Sequence, residues 1–168
     1  MPNPRKPFRL NVGFIVHEEI GYNHEFPFEF DRATLGDDFE IQDFRGAARI
    51  GRTPQGLLVQ GTFAGETTLE CVRCLRPFSH PLAWGLTELY AFNKKSVTEF
   101  GLLLPEDAHI DLEPLLREYA MLELPLKPLH KTDCLGLCPV CGQDLNVRDC
   151  GHRPVEADSP FSVLKKLR

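Results

Sequence analysis

Apolar side chains that recur at every second position constrain this chain more than any other feature. Phe8, Leu10, Val12, Phe14 and Val16 alternate with Arg9, Asn11, Gly13, Ile15 and His17. Phe26, Phe28 and Phe30 alternate with Glu25, Pro27, Glu29 and Asp31; Phe44, Ala48 and Ile50 alternate with Arg45, Ala47 and Arg49. Val59, Phe63, Leu69 and Cys71 then share one parity, and Phe78, Leu82, Trp84, Leu86, Tyr90 and Phe92 another. Period two puts one set on a single face of a strand, so five such segments predict five strands. Pro27 points to an edge strand or a bulge. Thr53-Pro54-Gln55-Gly56 has the composition of a β-turn. The expected fold is mainly β within the α+β class: an antiparallel sheet that curls over one core, or a partly open barrel.

Two short helices are expected. One spans about 111–123, capped by Asp111, with Leu112, Leu115, Leu116, Tyr119 and Leu122 at helical spacing. Pro114 suits its first turn and Pro125 ends it. The second begins at Ser159-Pro160 and places Phe161, Leu164 and Leu167 on one side. Residues 93–110 read as a loop carrying the apolar patch Leu102–Leu104. The domain boundary is expected after residue 128, with a cysteine-rich segment and short helix from 129 to 168.

Six cysteines stand out in a chain of 168 residues, which is long enough to bury a core without staples. The basic, proline-rich start Met1–Pro7 is followed by no apolar leader, and no run approaches the roughly 18 residues of a membrane span. A cytoplasmic protein is expected, in which disulfides do not persist and cysteines serve as ligands, redox groups or buried thiols. Cys71 and Cys74 form one C-x-x-C; Cys134, Cys138, Cys141, Cys150 and His152 cluster later. Two thiolates three residues apart grip one ion, and Gly142 after Cys141 permits the positive φ of such a turn. A structural zinc is the expected cofactor.

Three groupings fit the spacing. A local site takes Cys138, Cys141, Cys150 and either His152 or Cys134. A stapled site joins Cys71 and Cys74 to Cys138 and Cys141. Two sites form if His130 and Cys134 complete a shell with Cys71 and Cys74. Redox work is disfavoured, because Cys71 lies on a strand's apolar face with no thioredoxin-like βαβ pattern around it. No nucleophile elbow or phosphate-binding glycine motif occurs, so no enzyme is expected.

The net charge of -5 argues against coating nucleic acid by bulk charge. The charge is uneven, however. Residues 17–40 hold eight acids and one Arg, and 99–133 hold eight acids and three bases. Residues 41–80 reverse this, with five Arg against three acids. Arg45, Arg49, Arg52, Arg73 and Arg76 are the candidate contacts to an anionic partner, since guanidinium presents paired donors to phosphate.

Cys71-Val72-Arg73-Cys74-Leu75-Arg76-Pro77-Phe78 resembles the central motif of the YceD family, the large-subunit ribosomal RNA accumulation proteins. Leu124–Lys127, Cys134–Gly142, Asp144-Leu145-Asn146 and the ending Ser159–Leu167 resemble the cysteine-bearing branch of that family. His130 and His152 stand where many relatives carry cysteines. The resemblance implies a non-enzymatic ribosome-biogenesis factor, needed for large-subunit ribosomal RNA to accumulate. Its expected partners are that RNA or a large-subunit protein, and no membrane or small-molecule substrate. The competing expectations are a protein-binding adaptor that touches no RNA, and a dithiol redox or metal-chaperone protein.

Overall fold

The computed structural model describes residues 6–97 and 101–152. The expected C-terminal helix and most of the basic arm lie outside these residues. The chain divides into two compact units, one drawn from Met1–Leu69 and Ser79–Leu126, the other from Glu70–Phe78 and Lys127–Arg168. The sequence places one boundary after residue 128. The units instead part near residue 126, and the second also takes the short link at 70–78.

The first unit is built on four long strands: β2 (Asn23–Leu35), β3 (Phe39–Arg52), β4 (Gly56–Glu70) and β5 (Pro77–Ala91). They form a meander in the order β2-β3-β4-β5, with β2 and β5 on the outside. The sheet is therefore open, and Pro27 sits on an outer strand, where proline is tolerated. The β3–β4 turn closes as its composition predicts, with Thr53 N–H donating to Gly56 O at 2.9 Å.

Alternation carries β4 and β5 as expected, but β2 and β3 change phase midway. Phe39 and Ile41 are buried at odd positions, then Phe44, Ala48 and Ile50 at even ones. The switch falls at Asp43, which has φ of +50° and interrupts the β3–β4 register between Gln42 and Arg45. Opposite it, β2 changes from Phe28 to Ala33 and Leu35. Both strands thus exchange their inner and outer faces at one level, which bends the ribbon over the core.

The expected first strand is shorter than its alternation implies. Only β1 (Arg9–Asn11) is extended, and it pairs with β6 (His109–Asp111), not with the meander. A single helical turn, α1 (Gly13–Val16), follows and buries Ile15 while Phe14 is 44% exposed. Val12 and Ile15, three apart, are the residues that point inward. Within the expected loop the described residues carry regular structure: Leu103 bridges to Ala91, and β6 begins at His109.

The second helix of this unit, α2 (Glu113–Leu122), lies within the expected span, but Leu112 and not Asp111 occupies its N-cap position. Asp111 Oδ1 accepts the Glu113 N–H at 3.1 Å. Leu115, Leu116 and Ala120 are buried, whereas Leu122 is exposed. Glu113 and Arg117 of α2 bind the backbone of the β2–β3 turn at Gly36 and Leu35. The core is aromatic: Phe44 lies 5.4–5.8 Å from Phe8, Phe63 and Trp84, ring centre to ring centre.

Candidate metal centre

All six cysteines and both candidate histidines fall in the second unit. They form two quartets: Cys71, Cys74, His130 and Cys134, and Cys138, Cys141, Cys150 and His152. Within each, the four donor atoms lie within 4.8 Å of one another. Of the three groupings that spacing allowed, the structure assembles the two-site one. His130 takes part, and Cys134 joins the first quartet.

The two C-x-x-C turns share one geometry. Leu75 N–H donates to Cys71 O and Gly142 N–H donates to Cys138 O, each at 2.9 Å. The residue after each second cysteine is left-handed, with φ of +59° at Leu75 and +72° at Gly142. Glycine adopts this freely; Leu75 does so against a steric penalty. Gly136 has φ of +80° where a Cβ would come within 3.0 Å of the Arg73 carbonyl. That approach lets Leu137 N–H reach Arg73 O at 3.0 Å, fastening the tail to the first turn.

Donor spacing fits tetrahedral coordination. Metal–sulfur bonds of about 2.3 Å and metal–nitrogen bonds of about 2.0–2.1 Å give sulfur–sulfur edges near 3.8 Å and sulfur–nitrogen edges near 3.5 Å. Cys71 Sγ and Cys134 Sγ are 3.7 Å apart, and Cys74 Sγ lies 3.4 Å from His130 Nδ1. In the second quartet, Cys150 Sγ is 3.4 Å from His152 Nδ1. The quartets differ in burial. Cys71, Cys74 and Cys134 form a small core with Phe78, Leu129 and Leu137, whereas Cys141 and His152 are exposed.

Each quartet holds one thiol poised as thiolate. Burial pushes the Cys71 thiol up, but hydrogen bonds from His130 and from the 71–74 turn outweigh it and bring it down to about 5. The N–H groups of Cys141 and Val140 lower Cys138 to about 6. Burial raises Cys74. A low thiol pKa also marks reactive cysteines, but Cys71 is fully buried, with a second thiol and the imidazole of its quartet close by. That environment suits a ligand better than a nucleophile.

The five candidate arginines have different roles. Arg73 donates to Cys134 O at 2.7 Å, and Arg76 pairs with Asp144 at 3.0 Å, both inside the metal unit. Arg52, at the end of β3, lies 4.2 Å over the Phe92 ring and donates to the Val16 and Thr53 carbonyls. Arg45 and Arg49 are exposed on β3, opposite Glu29 and Glu25 of β2. Sequence reasoning missed Asn146, whose amide donates to Cys134 Sγ at 3.5 Å. Its only sequence signal is the motif Asp144-Leu145-Asn146.

An open β-meander and a unit with two cysteine–histidine quartets, each able to hold a metal ion, define a mainly β chain with two candidate metal sites. The chain belongs to the YceD family: the model described as "Large ribosomal RNA subunit accumulation protein YceD" matches residues 59–168, which include both quartets. An uncharacterized protein of Mycobacterium tuberculosis is 36% identical over 125 residues, covering 71% of this chain and 59% of its own length. The chain thus spans less than two thirds of that relative. YlbN of Bacillus subtilis is 26% identical over 157 residues, or 86% of this chain and 91% of its own. A chloroplastic YCED homolog of Arabidopsis thaliana, described as a large ribosomal RNA subunit accumulation protein, is 33% identical over 64 residues, 38% of this chain and 20% of its own. No solved structure matches. Among the described residues, no helix is long and apolar enough to cross a membrane.

Proposed function

We propose that this protein is a cytoplasmic ribosome-biogenesis factor that supports accumulation of large-subunit ribosomal RNA, acts without catalysis, and holds a structural zinc in each quartet. The observation that carries the reading is the family match over 59–168, the stretch containing every quartet ligand. Three thiolates and an imidazole suit zinc, and four protein ligands leave no open position for chemistry. Two zinc ions per chain are expected by elemental analysis. Cys138→Ser loses one, and Cys74→Ser loses the other. A chain that keeps two ions in either variant overturns the assignment. Cells lacking the protein should show a fall in large-subunit relative to small-subunit ribosomal RNA, restored by wild type and not by Cys74→Ser.

For direct RNA contact, Arg45 and Arg49 are the exposed candidates on β3, Arg49 donating one hydrogen bond to Asn23 Oδ1 at 2.9 Å, whereas Arg52, Arg73 and Arg76 hold local structure. Their acidic cross-strand neighbours make the contact modest and salt-sensitive. In filter binding to large-subunit RNA at two salt levels, Arg45→Ala with Arg49→Ala should weaken binding and flatten the salt dependence. Equal binding by the two proteins removes this interface.

A second reading is favoured by charge. The segments of the first unit hold eighteen of the 24 acids but ten of the 19 Lys and Arg. Such a surface suits a basic large-subunit protein. Co-purification of that protein after nuclease treatment supports this reading; its loss on nuclease treatment supports the RNA one.

A further inference from the structure

Gly142–Asp149 is the link between Cys141 and Cys150 of the second quartet, yet two of its polar side chains, Asp144 and Asn146, serve the first. Asn146 Nδ2 donates to Cys134 Sγ at 3.5 Å, while Asn146 Oδ1 accepts the Leu135 N–H at 2.9 Å. The same Nδ2 donates to Asp144 Oδ1 at 2.7 Å, and the Asn146 N–H donates to that oxygen at 2.8 Å. Asp144 Oδ2 accepts from Arg76 at 3.0 Å. Both ends of the Asn146 amide are committed, so its orientation is fixed, and with it the direction from which Cys134 is approached. Leu145 N–H donates to Gly136 O at 2.9 Å and holds the link beside the Cys134–Cys138 segment.

Apart from the second quartet, hydrogen bonds and one ion pair hold this link, with no apolar packing: Cys138 N–H donates to Gln143 O at 2.8 Å and Leu137 bridges to Asp144. The small core of the metal unit consists of Cys71, Cys74 and Cys134 with Phe78, Leu129 and Leu137; none comes from the link. Val147 is 71% exposed. A segment with few buried apolar contacts and exposed backbone hydrogen bonds has low local stability. An ion bound across Cys138, Cys141, Cys150 and His152 would supply the missing order as part of its binding free energy.

We propose that the two quartets load as a coupled pair: metal at the second fixes the 142–149 link, and Asn146 of that link then holds Cys134 in the geometry the first requires. The inference rests on the two-zinc reading and adds an interaction between the sites, with Asn146 as positioning residue. Coupling of this kind is reciprocal, so metal at the first quartet tightens the second by the same factor. Loss of an outer-shell partner of a metal ligand typically costs about 10–100-fold in affinity, which sets the expected scale.

The test is a cobalt titration of the reduced, full-length protein against a competing chelator, followed by the thiolate-to-cobalt absorption. Cys141→Ser leaves the first quartet alone, and Cys74→Ser leaves the second. The product of the two wild-type association constants, divided by the product of these two single-site constants, is the coupling factor. It should be about tenfold or more. Asn146→Ala keeps all eight ligands, should still bind two ions, and should bring the factor close to one when the two single-site variants are remade in its background. A factor near one in wild type, or one unchanged by Asn146→Ala, overturns the coupling while leaving two zinc sites intact. A wild-type protein that takes up no cobalt, or a Cys141→Ser variant that still binds two ions, overturns the two-zinc reading and the coupling with it.

Discussion

Glu88 shows how a single residue is settled by its surroundings. It occupies an inward position of β5 between Leu86 and Tyr90, and is 4% exposed. Alternation alone puts a carboxylate in the core, where an unpaired charge is costly. Tyr119 of α2 answers it, donating to Glu88 Oε1 at 2.5 Å. The hydrogen bond to Glu88, with burial, pushes the Tyr119 phenol up to about 12. The folded state therefore favours the neutral phenol. Its contribution is complete below the ordinary tyrosine value near 10 and is lost as pH rises through about 12. Tyr119→Phe should destabilise the protein by roughly 1–3 kcal/mol, because the buried carboxylate loses its donor. In melts across pH, the gap between wild type and variant should hold below about pH 10 and narrow above it. A gap that does not change with pH would contradict the assignment. Identity was legible at this scale and pairing was not: the sequence shows the eight candidate metal-ligating side chains, but nothing in it ties Asn146 to Cys134 or Tyr119 to Glu88.

At the scale of elements, the long strands were readable because their alternation persists for many residues. What could not be read were the interruptions. The phase change at Asp43 occupies two or three positions, too few to outweigh the alternation on either side. The turn at Gly13–Val16 hides in the same way, since Val12 and Ile15 fit a helical spacing only after the strand has been broken there. The two C-x-x-C turns are more instructive, since they are one device written in two sequences. Gly142 takes the left-handed position at no steric cost, and Leu75 takes it with a side chain that is 57% exposed and loses little burial if removed. Leu75→Gly should relieve that conformation and stabilise the loaded metal unit by about 0.5–1 kcal/mol, after the added freedom of the unfolded chain is allowed for. The measurement is the chelator concentration at half-loss of metal. A shift to lower concentration would show that the Leu75 side chain contributes contacts that outweigh its strain.

At the scale of the whole molecule, the two units draw on different sources of stability. The first has an extended apolar core running from Phe8 to Ala120, whereas the buried side chains among the described residues of the second are four cysteines of its candidate metal sites, Cys71, Cys74, Cys134 and Cys138. Metal removal should therefore act selectively. With chelator, amide exchange should accelerate over 70–78 and 127–152, while β3 and β4 stay protected around Phe44 and Phe63. Uniform loss of protection would mean that the sheet depends on the metal as well. The sequence predicted a cysteine-rich tail but could not show that the tail's metal unit borrows the 70–78 link, because that grouping is set by the path of the chain between distant segments. The separation has a consequence in time. Cys71 and Cys134 stand 63 residues apart, and a first quartet cannot close until the second of them has been synthesised. At about 5–20 residues per second, Cys71 and Cys74 wait roughly 3–13 s as unliganded thiols on the nascent chain. A chain truncated before residue 130 would keep them in that state for its lifetime. Closure of the first quartet is thus a late event of synthesis, reached only after Cys134 has been made.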